Sequence, residues 1–332
     1  MFKSFFMSRQ SLYWAWPGAA LIFFGTWYQV QIDVSINEWF GSFYDVVQKA
    51  LGSPGTVTLP EFFGFLFTFA KLAGVYVLVA VFLGFFTKHW VFRWREAMNN
   101  HYMAYWPRLR QIEGASQRVQ EDTKRFANIM ESLGSNMIDS LMTLVAFLPI
   151  LWTLSKKVSE VPLLGAVDHA LVYAAVLFAI FGTVVLAFIG IKLPGLEFNN
   201  QKVEAAYRKE LVHAEDDASR AAPPVVQSLF SQVRTNYFRL FFHYMYFDVA
   251  KYSYLQFGVI VPYIALGPTI VSGVITLGVM QQIVRAFGRV ESSFQFLVRS
   301  WSTIVELISV YKRLRAFEAE IGTLPDPVVA EA

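Results

Sequence analysis

Five stretches of this chain are apolar over about the length a helix needs to cross a hydrocarbon layer, roughly 20 residues. They are Trp14–Ile32, Phe63–Phe86, Met137–Leu154, Ala170–Ile191 and Leu255–Val279. Inside a bilayer every backbone N–H and C=O must be satisfied within the segment, so such runs can only be helices or barrel strands. Runs of this length are too long for strands. Composition agrees: 16% of the 332 residues are charged, against about 25% in soluble domains. Lys3 and Arg9 precede the first run, as in a signal peptide. That run continues to Ile32 without a small-residue cleavage site, so it reads as a retained anchor.

A sixth stretch, Ile283–Val310, is long enough but carries Arg285, Arg289, Glu291, Arg299 and Glu306. At ~100° per residue, Arg285, Arg289, Arg299 and Glu306 share one face. An amphipathic helix lying on the membrane surface is one reading. Charges inside a span normally face a bundle interior or a watery cavity, so a sixth helix lining a cavity is the preferred one. On this reading Arg285, Arg299 and Glu306 are cavity-lining candidates.

Lys and Arg bias sets orientation. The segment after the second run holds Lys88, Arg93, Arg95, Arg108, Arg110, Arg118, Lys124 and Arg125, and the segment after the fourth is similarly basic. The loop after the first run, Asp33 to Pro60, has only Lys49 against Asp33, Glu38 and Asp45. Six spans with both termini cytoplasmic fit every loop. The two long basic segments are rich in helix formers at Glu121–Met130 and Val203–Asp217 and lack linker composition. They read as helical extensions of the spans, with turns near Trp106–Gly114 and Ala221–Pro224. The fold class expected is therefore an all-α membrane protein with six transmembrane helices and long cytoplasmic extensions, in the outline of an ABC exporter's membrane domain. Residues 1–320 form one such domain and 321–332 a tail.

Several chemistries find no support. There is no cysteine, and the net charge of +3 gives no reason to expect nucleic acid. No Gly-x-x-x-x-Gly-Lys-[Ser/Thr] phosphate loop occurs, and no Gly-x-Ser-x-Gly elbow. The histidines at 89, 101, 169, 213 and 243 lack metal-ligand spacing. The chain is thus expected to be no enzyme and to hold no metal or cofactor. What remains is carboxylates near the membrane. Glu197, Glu204 and Glu215 fall within about 20° of one helical face. Glu131 precedes the third run, with Asp139 some 80° further round the same helix. Each could be ordinary solvated charge, or paired as Glu204 with Arg208. As a set they suit proton loading, because partial burial brings a carboxylate toward neutral pKa. The aromatic run Trp39-Phe-Gly-Ser-Phe-Tyr-Asp45 is either an interfacial belt or a rim that meets substrate.

Several segments resemble the SbmA/BacA family of peptide antibiotic transporters. These are Val91-Phe-Arg-Trp-Arg95, Arg110-Gln-Ile-Glu-Gly-Ala115, Gln117-Arg-Val-Gln-Glu-Asp122, Phe147-Leu-Pro149, Gly190-Ile-Lys-Leu-Pro-Gly-Leu-Glu-Phe198, Val203-Glu-Ala-Ala-Tyr-Arg-Lys-Glu-Leu211 and Phe241-Phe-His-Tyr-Met-Tyr-Phe247. The resemblance runs from about Val34 to Phe317. It implies a homodimer in a bacterial inner membrane that imports antimicrobial peptides with protons and without an ATPase subunit. Matched residue by residue, its proton-carrying glutamates fall on Glu131, Glu204 and Glu215, then Glu121, Glu197 and Glu210. Tyr44 matches a position implicated in transport. Longer relatives carry extra N-terminal membrane sequence, whereas this chain opens almost at its first span. Two other readings stay open: a permease half that works with a separate ATPase, and a membrane factor in envelope lipid modification.

Overall fold

The computed structural model describes residues 1–112, 115–158, 161–162, 167–217 and 221–322. Those residues are helical nearly throughout. The helices are α1 (Phe2–Phe6), α2 (Leu12–Gly52), α3 (Leu59–Ala104), α4 (Trp106–Leu109), α5 (Ala115–Ser155), α6 (Ala170–Gly190), α7 (Leu193–Asp216), α8 (Pro223–Val271), α9 (Leu277–Arg299) and α10 (Trp301–Gly322). The expected tail after residue 322, and Gly114 of the expected turn, lie outside the described residues.

Two compact units are present, residues 1–175 with 264–332 and residues 176–263. In the first, α9 packs against both α2 and α5, and α2 also packs against α3. An aromatic core joins α3, α5 and α10 through Trp90, Trp94, Met98, Tyr102, Phe126, Leu314 and Phe317. The Trp90 indole N–H donates to the Trp14 and Ala15 carbonyls of α2 at 3.1 and 3.2 Å. Arg313 of α10 forks onto the buried Asp122 carboxylate at 2.9 and 2.8 Å. Two hydrogen bonds to a buried charge stabilise by about 2 kcal/mol more than an exposed pair. Asp122→Ala is therefore expected to lower stability by about that amount. Glu121→Gln, which loses only the exposed pair to Arg125, should cost ~0.5 kcal/mol or less. Thermal unfolding of the two variants side by side checks the ranking.

The second unit is antiparallel. Tyr254 of α8 lies over Phe178 of α6, ring centroids 4.6 Å apart, and fills the space left by the missing side chain of Gly182. Leu193 and Leu196 of α7 pack with Leu240 of α8. Here the extension does not run on directly from the fourth span. Ile191 and Lys192 form a turn, because Pro194 has no N–H to give an uninterrupted helix and restricts the residue before it.

Two further boundaries differ from expectation. Residues 33–52, read as loop after the first span, continue α2 as helix to Gly52, since no Gly/Pro cluster intervenes before Gly52-Ser-Pro-Gly55. The fifth run ends at Val271 and not at Val279. Gly273 takes φ +69° and its N–H bonds the Ile270 carbonyl while the Val274 N–H reaches Thr269, a paired cap that stops the helix.

Four helices among the described residues are long and apolar enough to cross a membrane: α3, α5, α6 and α8. The most apolar window of α3 has no buried residue, which suits a surface that faces lipid. The run Trp14–Ile32 lies in α2 but is diluted by Trp, Tyr and Gln side chains. The stretch Ile283–Val310 is divided at Ser300 between α9 and α10. The chain is a multi-pass helical membrane protein.

Candidate functional site: an ionic seam between α2 and α9

Asp33, Asn37, Gly41 and Asp45 recur every four residues of α2, which puts them in one row along a helix. Asp33, Asn37 and Gly41 are buried. The row meets α9. The Asp33 carboxylate accepts from Arg285 Nη2 at 2.7 Å and from Arg289 Nη2 at 2.6 Å. One turn separates the two arginines, so a single acid holds both. Asp45 Oδ1 accepts the Gly278 N–H at 3.0 Å, and Gln48 Oε1 accepts the Leu277 N–H at 2.8 Å. Together these cap donors that the first turn of α9 leaves without intrahelical partners. Gly41 and Gly278 let the two backbones touch. The buried Oδ1 of Asn37 and Nε of Arg285 have no hydrogen-bond partner among the described residues. Asp139 of α5 is exposed and has no hydrogen-bond or ion-pair partner among the described residues. One buried aspartate of α2 thus faces two arginines on successive turns of α9.

The aromatic run of α2 sits beside this seam. The Arg285 guanidinium lies 4.9 Å from the Phe40 ring centroid, and Tyr44 stacks on Phe40 at 5.9 Å. Trp39 stacks on Phe43 and its N–H donates to the Phe65 carbonyl of α3 at 2.8 Å. Tyr44 and Arg285, singled out separately in the sequence, are therefore neighbours of one cluster through Phe40.

The charges of the sixth stretch do not stay together. Arg299 donates to Gln295 on its own helix, and Gln295 donates to the buried Glu291 at 2.6 Å. Glu306, beyond the Ser300 break, lies 3.7 Å from Arg125, which also bonds Glu121 at 2.8 Å. Helix α5 contains two π-helical turns, Arg118–Asp122 and Met130–Gly134. Glu121 lies on the first and Glu131 on the second. Such turns form well under 1% of residues and often mark functional positions.

In the second unit, Glu197 accepts the Tyr244 hydroxyl at 2.7 Å. Glu210 accepts the Ala221 N–H at 3.2 Å. Glu204 is half-buried and Glu215 exposed, both on α7. Glu131, Glu204 and Glu215 have no hydrogen-bond or ion-pair partner among the described residues.

Residues 8–322 match the SbmA/BacA-like family. The chain belongs to that family. It is also 27% identical over 312 residues to the inner membrane ABC transporter ATP-binding protein YddA of Escherichia coli, covering 87% of this chain and 54% of that one. An uncharacterized ABC transporter ATP-binding protein of Synechocystis is 24% identical over 68% of this chain and 35% of its own length. The chloroplastic ABC transporter D family member 2 of Arabidopsis thaliana is 25% identical, over 68% of this chain and 33% of its own. The chain spans about half or less of the length of these relatives.

For this SbmA/BacA-like chain, Asp33, Asn37 and Asp45 are the residues that the sequence reading passed over as loop. Their four-residue spacing was the available signal. The π-helical turns under Glu121 and Glu131 leave no comparable trace, since Arg118–Asp122 and Met130–Gly134 have ordinary helix-forming composition.

Proposed function

We propose that this chain is the membrane domain of a proton-driven importer of peptides. On this reading it works as a homodimer of six-span halves in a bacterial inner membrane, with both termini in the cytoplasm. The observation that carries the reading is Glu131: a half-buried carboxylate on a π-helical turn, without a partner among the described residues, just before the apolar part of α5. A carboxylate placed so can gain and lose a proton as the protein alternates between two states. Membership of the SbmA/BacA-like family supports the same reading, as do Glu204 and Glu215 on α7. Each proton moved down the membrane potential contributes ~2.3 kcal/mol per 100 mV, enough to bias a two-state carrier. A cavity lined with glutamates would favour cationic peptides.

Purified protein in proteoliposomes should take up a labelled cationic peptide when a pH gradient is imposed, and an uncoupler should abolish it. Glu131→Gln is expected to reduce uptake about tenfold or more, a loss of at least ~1.4 kcal/mol of coupling. Uptake that ignores the gradient would sink the proposal. A second reading, a permease that works with an ATP-binding subunit, is favoured by the names of relatives about twice this length. Co-purification of an ATP-binding chain and uptake that requires ATP would favour it.

A further inference from the structure

A cavity of about 390 Å³ opens between α1, the start of α2 and α3. Its Trp14 is 19 residues from Asp33, roughly 28 Å along α2 from the ionic seam. Arg93, Glu96 and Asn100 of α3 line one wall, at spacings of three and four that put them on one helical face. Ser8 and Ser11 line it from the turn that leads into α2. We infer that this cavity binds the headgroup of a membrane phospholipid that carries both a phosphate and a primary ammonium, the phosphatidylethanolamine type. The inference goes beyond the transport reading and does not depend on it.

Position selects a lipid. The outer side of α3 is apolar and exposed through Phe85 and Phe92, and Arg93 follows at once. Tyr13, Trp14 and Trp16, all exposed, open the apolar run of α2. Such aromatic side chains gather where hydrocarbon gives way to headgroups, so the cavity lies at headgroup depth. Charge then selects the headgroup. The Arg93 guanidinium lies 4.0 Å from the Trp14 ring centroid, and its N–H groups have no hydrogen-bond or ion-pair partner among the described residues. Stacking holds the planar fork and leaves its donors for a phosphate. Glu96 is likewise without a partner among the described residues, and the two do not pair with each other. Side chains three apart on a helix are about 5–6 Å from one another, which suits a ligand with opposite charges at the ends of a two-carbon link. A headgroup with a phosphate alone would leave Glu96 facing unmatched negative charge. A quaternary ammonium has no N–H for Glu96 and favours an aromatic face, and Arg93 already covers that of Trp14. The Ser8 and Ser11 hydroxyls and the Asn100 amide add neutral donors and acceptors around the pair.

Native mass spectrometry of the purified protein should show phosphatidylethanolamine retained about tenfold more than phosphatidylcholine or phosphatidylglycerol with the same chains. Its N-methyl and N,N-dimethyl forms should fall between, because each methyl removes an N–H that Glu96 can accept. Glu96→Gln should retain phosphatidylethanolamine and phosphatidylglycerol alike, and Arg93→Gln neither of them above the phosphatidylcholine level. Both side chains are exposed, so an unchanged melting temperature is expected and shows that the fold is kept. Where a variant does not fold, the methylation series on the wild type decides alone. Equal retention of the three lipids by the wild type, a flat methylation series, or a preference that survives Glu96→Gln would overturn the proposal. Soluble phosphoethanolamine that displaces the lipid at equal concentration would place a free phosphate ester in the cavity and overturn the lipid assignment.

Discussion

Asp33→Asn is expected to lower the stability of the protein by about 3 kcal/mol, the lower part of the range for breaking a buried ion pair. The Asp33 side chain is 8% exposed and holds two arginines at 2.7 and 2.6 Å. Asparagine keeps the shape but turns an acceptor into an N–H₂ that faces a guanidinium, and leaves two cations without the anion that paired them. Both arginines retain some exposure, which is why the lower part of the range applies. An apparent melting temperature in detergent, followed by fluorescence-detected size exclusion, should fall by roughly 10 °C. Adding Arg285→Gln and Arg289→Gln to Asp33→Asn should restore most of the loss, because it removes the uncompensated cations. A melting temperature equal to that of the wild type would show that the seam contributes nothing to the fold.

Gly278→Val is expected to be of similar severity for a different reason. A Cβ at this position would overlap the Gly41 carbonyl oxygen, and it would lie 2.5 Å from the Asp45 carboxylate. A backbone oxygen cannot rotate away, so α9 must move off α2 and forfeit the Asp45 and Gln48 hydrogen bonds to its first turn. Overpacking of this kind costs about 3 kcal/mol. The mirror substitution discriminates. At Gly41 the atoms nearest the new Cβ belong to the flexible Gln282 side chain and not to backbone, so Gly41→Ala should cost about 1 kcal/mol. Equal melting temperatures for the two variants would contradict the backbone contact.

Much of the architecture was legible along the chain. Apolar runs identified α3, α5, α6 and α8 as helices that can cross a membrane, because a bilayer demands length and apolarity from each segment independently. The helical extensions were legible too, from their helix-forming composition, though not the turn at Ile191 and Lys192 that Pro194 sets before one of them. Interruptions were harder. Ser300 divides a charged stretch that reads as continuous, and the end of α8 depends on the left-handed Gly273 and not on any loss of apolar character.

The site divides along the same line. Arg285 and Tyr44 could be picked out one by one, since a charge or an aromatic run beside the membrane is conspicuous in any single segment; Arg299 and Glu306 are equally conspicuous but bond outside the seam. Their partnerships could not. Arg285 and Arg289 lie 252 and 256 positions from Asp33, by subtraction of the residue numbers, and no local pattern encodes a contact at that separation. Asp33 itself looked like loop charge until α2 carried it on as helix and brought it against α9. Hydropathy and charge bias are properties of each segment against its solvent, so the amino-acid order alone was enough for the bilayer and the helices. Which carboxylate meets which guanidinium is a property of how helices distant in the chain pack, and that pairing exists only in the folded protein.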